Sequence, residues 1–280
     1  MATALLHDGT PIDISVTGRG PTVLLPVGTR VLDGPAADEM RAWGTDPSLG
    51  HTLATALAEA GFRVVAADYE GHLTDHPKAR TLTPANVAAD LLAIADAAGA
   101  PRFAYYGYSW LALAGLQLAI RTDRLTALAM GGYPPLGGPY REMLAVTRVA
   151  HRMAIDPPPP PAGTPEPGDW DSYPFSRTPD QTEQYVTLYE ALQDFDEDVG
   201  LALPRLAFAG EKDIIEYGPQ WDDLRVDLAG PLRAHHAELI ARGWRVSLVP
   251  GADHMAAMQP SRVLPILLPW LQEALLRTEL

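Results

Sequence analysis

Short apolar runs alternate with longer amphipathic stretches along most of this chain. Each apolar run ends at or just before Gly, Pro, Asp or a similar residue that interrupts regular structure, which is typical of buried strands. Strands are predicted at residues 22–26, 63–67, 103–106, 125–130, 205–209 and 245–249. Residues 12–17 instead alternate apolar and polar side chains, as expected for a half-exposed antiparallel edge strand.

Between these runs, apolar residues recur with a spacing near 3.6, which predicts amphipathic helices. Helices are predicted at residues 51–60, 84–98, 110–121, 228–242 and 261–276. Strands that alternate with helices of this length favour crossover connections and parallel pairing. The predicted fold class is therefore α/β, with a mostly parallel sheet and helices on both faces.

One segment, residues 134–200, breaks the alternation. It contains five consecutive prolines at 157–161, which cannot lie inside a helix, and helical patterns flank them at 140–154 and 180–198. The simpler interpretation is an exposed linker. We favour an inserted cap over an active site, because the insertion falls between core strands whose ends should carry catalytic groups. The predicted division is a core at 1–133, the cap at 134–200, and the rest of the core at 201–280.

Composition excludes several classes of function. The formal net charge of −14 argues against a nucleic-acid partner and an anionic membrane surface, because both need clustered Lys and Arg. The absence of cysteine excludes disulfides, thiolate metal sites and a cysteine nucleophile. With no signal-peptide pattern and no apolar run near the ~18 residues of a membrane span, we expect a cytoplasmic protein. A small-molecule substrate is the expected partner, and a homodimer is left open.

The strongest chemical signal lies between the strand at 103–106 and the helix at 110–121. Gly107 and Ser109 stand at this junction, which is the context of a nucleophile elbow, where a sharp turn presents a serine hydroxyl. The backbone N–H of Trp110 would then lie at the positive end of the helix, where it can stabilise an oxyanion. The alternative is an ordinary serine at a helix N-cap.

A serine nucleophile needs a base and an orienting carboxylate, and both should follow later strands. Asp213 follows the strand at 205–209, and His254 follows the strand at 245–249 through a glycine loop. Of the eight histidines, only His254 has this position. Asp253 and Glu211 are alternative acids, but Asp253 would have to fold back onto its neighbour's ring and Glu211 is displaced by two residues.

The second oxyanion donor should come from the loop after the strand at 22–26. Gly28 permits a close turn there, and the N–H of Thr29 is the predicted donor. Gly28, Tyr108 and Tyr133 are the predicted substrate-binding residues.

Aromatic residues of the predicted cap are further candidates for an apolar pocket, although aromatic side chains also serve as plain core. They are Trp170, Tyr173 and Phe175.

Taken in order, the segments around Gly28, Asp68-Tyr-Glu-Gly-His72, Gly107-Tyr-Ser-Trp-Leu111, Gly210-Glu-Lys-Asp213 and Gly251-Ala-Asp-His254 resemble the α/β-hydrolase superfamily across nearly the whole chain. The resemblance implies an eight-stranded sheet and a catalytic triad on Ser109, Asp213 and His254. The Ser-Trp pair and the length are similar to proline iminopeptidases and related capped esterases. The chain departs from the common pattern at Val27, Leu73 and Leu111.

These residues predict a serine hydrolase that acts on a carboxylic ester, thioester or lactone through an acyl-enzyme on Ser109. No metal or organic cofactor is expected, because the His72 and His76 pair lacks the Glu that follows the first histidine of a zinc-protease helix. Two alternatives stay open, because Leu111 departs from the common pattern. One is a non-hydrolytic enzyme of acyl transfer or lyase type, and the other is a receptor-like binding protein with an unproductive triad.

Overall fold

The computed structural model describes residues 2–42, 44–161, 166, 168–172 and 174–276. Its strands are β1 (Ala2–Leu5), β2 (Pro11–Gly18), β3 (Thr22–Leu25), β4 (Arg63–Ala66), β5 (Phe103–Tyr108), β6 (Leu125–Gly131), β7 (Arg205–Gly210), β8 (Ile214–Glu216), β9 (Arg225–Asp227) and β10 (Trp244–Val249). Within this part of the chain, eight strands form one sheet in the order β1-β2-β4-β3-β5-β6-β7-β10, and β8 pairs with β9 separately.

The eight-stranded sheet is mostly parallel, as predicted. Strand β2 runs antiparallel to both β1 and β4, and every other neighbouring pair of the sheet is parallel. The expectation that residues 12–17 form the edge is wrong, because β1 covers the outer side of β2. Strand β1 has only four residues, too few for its alternation to stand out from the sequence.

The helices are α1 (Gly34–Ala42), α2 (Leu49–Glu59), α3 (Tyr69–Asp75), α4 (Pro84–Ala97), α5 (Trp110–Ala119), α6 (Tyr140–Ile155), α7 (Pro179–Glu190), α8 (Ala229–Ala234), α9 (His236–Ala241), α10 (His254–Ala257) and α11 (Pro260–Leu275). The single helix predicted at 228–242 is two short helices that meet at His235. The pattern at 180–198 ends as a helix at Glu190.

Alternate side chains of the parallel strands point to opposite faces of the sheet, and each face is covered by helices. In β5, Phe103 and Tyr105 join one buried cluster with residues of α4 and α5. Their neighbours Ala104 and Tyr106 join the cluster on the other face, with residues of α2 and α11. This two-sided burial explains why the central strands read as continuous apolar runs.

Residues 134–200 lie between β6 and β7 and contain α6 and α7. Helix α7 is hydrogen-bonded to α3 and to the chain that follows it. Gln184 donates from Nε2 to the Leu73 carbonyl at 3.1 Å and accepts from the Lys78 N–H at 3.0 Å, while the Thr187 hydroxyl donates to the Ala79 carbonyl at 2.7 Å. Prolines 157–161 belong to no helix or strand.

Strand order reverses direction at β3, which has β4 on one side and β5 on the other. A crevice forms at the carboxyl ends of the strands at such a switch point, and ligands of open α/β sheets bind there. The segments after β3 and β5 therefore frame the candidate site. In the part of the chain described above, we find no helix with the length and apolarity needed to cross a membrane.

Candidate active site

Ser109 occupies a sharp turn between β5 and α5. Its φ of 57° and ψ of −134° lie in a region that non-glycine residues rarely adopt, and such conformations cost about 1–3 kcal/mol. The Ser109 N–H donates to the Gly131 carbonyl of β6 at 2.7 Å, which ties the turn to the neighbouring strand. The serine is therefore held by the sheet at the start of α5, in the conformation of a nucleophile elbow.

The turn requires glycine at position 107. A Cβ there would lie 2.3 Å from the Leu111 carbonyl oxygen and 2.9 Å from Cε1 of Tyr105, well inside contact distance. Tyr105 is fully buried, and its hydroxyl donates to the same Leu111 carbonyl at 2.7 Å. The Tyr105 ring thus links β5 to the first turn of α5.

The three residues predicted as nucleophile, base and acid are brought together. His254 Nε2 lies 3.1 Å from Ser109 Oγ, and His254 Nδ1 lies 2.9 Å from Asp213 Oδ1. Asp213 is completely buried, and its backbone carbonyl accepts from the N–H groups of Leu228 and Ala229, each at 3.0 Å. These bonds fix the turn after β7, so that the carboxylate faces the histidine.

The two alternative acids are engaged elsewhere. Asp253 caps the short helix α10 by accepting from the Ala256 N–H at 2.8 Å. Glu211 accepts from the Gly251 N–H at 2.9 Å, in the loop that leads to His254. Both carboxylates therefore shape the loop that carries the histidine, while Asp213 contacts its ring.

Tyr108, a predicted substrate-binding residue, also supports the histidine. Its hydroxyl donates to the His254 carbonyl at 2.7 Å, and the two ring centres are 5.1 Å apart. Burial raises the pKa of Tyr108 well above its ordinary value, and the negative charge of Asp213 adds to this increase. Tyr108 therefore stays a neutral hydrogen-bond donor throughout the working pH range.

A cavity of about 310 Å³ opens in front of the serine, and Ser109, His254, Tyr108 and Trp110 line it. A neighbouring cavity of about 190 Å³ has five aromatic residues in its lining and is called the aromatic cavity below. Trp170 borders both cavities.

The other predicted pocket residues lie in different places. Phe175 lines the neighbouring cavity, and Tyr173 lies outside the described residues. Tyr133 is not among the described residues that line either cavity. It is buried in the core with its ring 5.9 Å from that of Tyr140.

The two predicted oxyanion donors lie on different segments of the chain. Trp110 is the first residue of α5, so its N–H has no acceptor within the helix. On the opposite side, Val27 reaches the cavity wall, whereas the Thr29 hydroxyl lies 3.3 Å from Ser15 Oγ of β2. The Gly28 carbonyl packs against α2, where a Cβ at Gly50 would lie 2.0 Å from it. The Thr29 N–H stays a prediction as the second donor.

Two features singled out in the sequence, Leu111 and the pair of histidines at 72 and 76, have ordinary structural surroundings. Leu111 is buried in the main core cluster and also borders the cavity, so a large residue fits at this position. The rings of His72 and His76 are 4.9 Å apart, but His72 Nε2 lies 3.0 Å from the Thr10 hydroxyl. Among the described residues, no group of three or more His, Asp or Glu side chains is arranged to hold a metal ion.

Glu70 is the residue of this site that sequence reasoning missed. It lies in α3, directly after β4, and borders both cavities. The Glu70 side chain is exposed, but the protein that surrounds it raises the pKa of its carboxyl group. The charge of Arg177 and a hydrogen bond from Trp110 reduce this rise without cancelling it. One signal was present, because an acidic residue just after β4 must lie at the sheet edge that also presents Ser109.

Solved structures with the same architecture are known, although neither a family model nor a curated protein matches this sequence. A carboxylesterase of the archaeon Nitrososphaera gargenis aligns with a TM-score of 0.65 at 18% identity, over 96% of each chain. The enol-lactonase of Burkholderia xenovorans aligns with a TM-score of 0.57 at 18% identity, over 96% of this chain and 99% of the lactonase. Epoxide hydrolase A of Mycobacterium thermoresistibile also aligns with a TM-score of 0.57 at 18% identity, over 97% of this chain and 98% of the hydrolase. The chain has the α/β-hydrolase fold.

Proposed function

We propose that this protein is a serine hydrolase that cleaves a carboxylic ester, thioester or lactone through an acyl-enzyme on Ser109. The observation that carries the proposal is the continuous chain of short contacts from Asp213 through His254 to Ser109, at 2.9 Å and 3.1 Å. It ends on a serine whose strained backbone presents the hydroxyl to a cavity of about 310 Å³. Such strain persists only where the surrounding structure enforces it.

The first half of the reaction is acylation. His254 Nε2 accepts the Ser109 proton as Oγ attacks the substrate carbonyl, and Asp213 holds the ring and stabilises the imidazolium. The resulting oxyanion accepts from the Trp110 N–H and from a second donor in the 27–29 loop, for which Thr29 is our assignment. His254 then gives the proton to the leaving group as the tetrahedral intermediate collapses to the acyl-enzyme.

The second half is deacylation. A water molecule enters where the leaving group was, His254 accepts its proton, and the hydroxide attacks the acyl carbonyl. The new tetrahedral intermediate uses the same oxyanion donors, and the proton returns to Ser109 Oγ as the acid leaves. We assign residues 134–200 the role of a cap, on the ground that Trp170 from this segment borders the serine cavity.

Epoxide hydrolysis is not proposed, although an epoxide hydrolase shares the fold. Opening an epoxide through an ester intermediate requires a carboxylate nucleophile, and position 109 carries a hydroxyl instead. A receptor-like role is also disfavoured. His254 lies within hydrogen-bonding reach of Ser109, and Asp213 lies within reach of His254. This arrangement is the one that activates a serine nucleophile.

The test is covalent labelling with a fluorophosphonate, followed by peptide mass spectrometry to locate the adduct. We expect labelling at Ser109 that disappears in Ser109→Ala and falls at least about 1000-fold in rate in His254→Ala. The matched control is His236→Ala, because His236 is an exposed histidine of α9, remote in sequence from the loop that carries His254.

Failure of wild-type protein to label, with a small methylphosphonate as well as a bulky probe, would overturn the proposal. The small probe is needed because it can pass a closed cap that stops a larger one. Addition of alcohol acceptors to an ester assay then separates hydrolysis from acyl transfer, since transfer gives a new ester in place of the free acid.

A further inference from the structure

Glu70 belongs to the walls of both the serine cavity and the aromatic cavity. Trp170 also lines both cavities, whereas Ser109 lines the serine cavity and not the aromatic one. The first turn of α3, which carries Glu70, is held by Asp68, whose carboxylate caps the helix by accepting from the Gly71 N–H at 3.0 Å. A substrate that reached from Ser109 into the aromatic cavity would therefore run beside Glu70.

The polar surroundings of Glu70 leave it with unused hydrogen-bonding capacity. The indole Nε1 of Trp110 donates to Oε1 at 3.4 Å, which is a long bond for a carboxylate. The Arg177 guanidinium lowers the pKa of the Glu70 carboxyl through its charge but forms no salt bridge or hydrogen bond with any described residue. The Glu70 side chain is exposed, so water solvates its carboxylate in the empty site. A substrate that displaces this water must replace the lost hydrogen bond, and a donor on the substrate can do so.

The aromatic cavity indicates which part of the substrate lies beyond the group that donates to Glu70. Its walls include Tyr185, Phe175 and Trp221, and its volume is about 190 Å³. A dry cavity of about 150 Å³ is large enough to bind benzene, so a phenyl group fits a space of this size. Aromatic walls favour such a ring through edge-to-face and offset contacts.

The charges of Glu70 and Arg177 together favour a neutral ligand group over a cation beside Glu70. Arg177 borders the same cavity as Glu70 and compensates its negative charge. An ammonium group would therefore gain less from Glu70 than it would from an unpaired carboxylate, and it would also be repelled by Arg177. A hydroxyl group pays a smaller desolvation cost and can satisfy the free carboxylate oxygen.

We propose that Glu70 is a specificity-determining residue that accepts a hydrogen bond from a hydroxyl group of the substrate acid. The hydroxyl is placed between the reacting carbonyl and an aromatic ring seated in the second cavity. The preferred substrates are then esters of aryl hydroxy acids. This inference rests on the proposed esterase function of Ser109.

The experiment compares matched esters of one alcohol, 4-nitrophenol. Mandelate is paired with phenylacetate, and 3-hydroxy-3-phenylpropanoate with 3-phenylpropanoate, with each rate divided by that of alkaline hydrolysis to remove intrinsic reactivity. We expect wild-type kcat/KM to favour at least one hydroxy ester by about 10-fold or more, because a hydrogen bond to a charged acceptor is stronger than one between neutral groups. A fixed acceptor also predicts a preference for one enantiomer.

Substitution of Glu70 separates its role from a general effect on the site. Glu70→Leu should abolish the preference for the hydroxy ester, and Glu70→Gln should retain part of it, because the amide oxygen still accepts. The matched control Glu59→Leu removes an exposed carboxylate of α2 and should keep the wild-type ratio. The ratio in wild-type protein tests the proposal even if Glu70→Leu does not fold.

The outcomes distinguish the two levels of the argument. Absence of fluorophosphonate labelling at Ser109 removes the esterase function and this inference with it. Labelling at Ser109 together with equal efficiencies for hydroxy and deoxy esters overturns the inference alone. The 4-nitrophenyl ester of phenylglycine, measured at a pH below the pKa of its amino group, tests a cation in the same place. A preference for this ester over that of mandelate at the same pH would also overturn the inference, because it would assign Glu70 to a cation.

Discussion

Replacement of Gly107 by alanine should slow the reaction of Ser109 without changing any group that takes part in the chemistry. The added Cβ would lie 2.3 Å from the Leu111 carbonyl oxygen, whereas ordinary contacts begin at 3.4 Å. The carbonyl must therefore move by about 1 Å, and Ser109 lies on the short path between the two residues. On the other side, Cε1 of Tyr105 at 2.9 Å blocks an alternative displacement of the new methyl group.

The expected magnitude has two parts. A misplacement of about 1 Å at a reacting group costs roughly 100-fold in rate, so we expect the labelling rate constant of Gly107→Ala to fall by about that factor. Overpacking of a filled core costs about 1–3 kcal/mol, which should lower the free energy of unfolding by a similar amount. The stability loss is smaller than the whole stability of a typical domain, so the variant should still fold.

The assay measures the second-order rate constant of fluorophosphonate addition to Ser109 by mass spectrometry, at a temperature where circular dichroism shows both proteins folded. Urea denaturation provides the free energy of unfolding in parallel. Gly200→Ala is the matched control, because a Cβ at Gly200 meets nothing within 4 Å. We expect this control to label at the wild-type rate.

A Gly107→Ala protein that labels within about threefold of wild type would refute the argument. It would mean that the turn relaxes around the methyl group without moving Ser109 Oγ from His254 Nε2. A loss of labelling that tracks only the unfolded fraction would refute it equally, because the effect would then be one of stability.

Three further outcomes are expected. Asp213→Asn should reduce ester turnover by about 10⁴ with the fold retained, because an amide favours the wrong histidine tautomer; a loss below tenfold would contradict the role of Asp213. Tyr108→Phe removes the 2.7 Å bond to the His254 carbonyl and should cost about 1 kcal/mol in urea denaturation, with slower labelling of the serine. Asp8→Asn should cost about 3 kcal/mol at pH 7, because it removes a direct partner of the fully buried Lys78 ammonium. Burial acts to raise the pKa of Asp8, but bonds from Lys78 and Thr10 lower it further, so the net pKa is below its ordinary value. This contribution is complete above about pH 4 and is lost as the pH falls through the lower folded-state value. The wild-type advantage over Asp8→Asn should therefore shrink on acidification, and an advantage that stays constant down to pH 2 would contradict the assignment.

Sequence reasoning succeeded where the apolar residues form a continuous run or recur with helical spacing. The apolar runs of β3 to β7 and the 3.6-residue spacing of α4 and α5 place these elements within two residues of their observed ends. Two short elements without a continuous apolar run were missed. Strand β1 has four residues, as β3 and β4 have, but three of its side chains are exposed, so it lacks the apolar run that marks the other two. Helix α10 has four residues, too few for a helical periodicity. Strand β1 packs against α4 and α10 against β7.

The order Ser109, Asp213, His254 and the strand that precedes each residue were enough to select the candidate triad from the sequence, because the carboxyl ends of parallel strands meet at one edge of a sheet. Which residues border the cavities was decided only by the tertiary structure. Glu70 and Arg177 are separated by more than a hundred positions, and no local pattern relates them; their proximity follows from the packing of the 134–200 segment against α3. Tyr133, next to the end of β6, turns into the core beside Tyr140, because α6 supplies an aromatic partner that residue periodicity cannot reveal. The sequence thus determined which groups could perform the chemistry, and the packing of distant segments decided what those groups face.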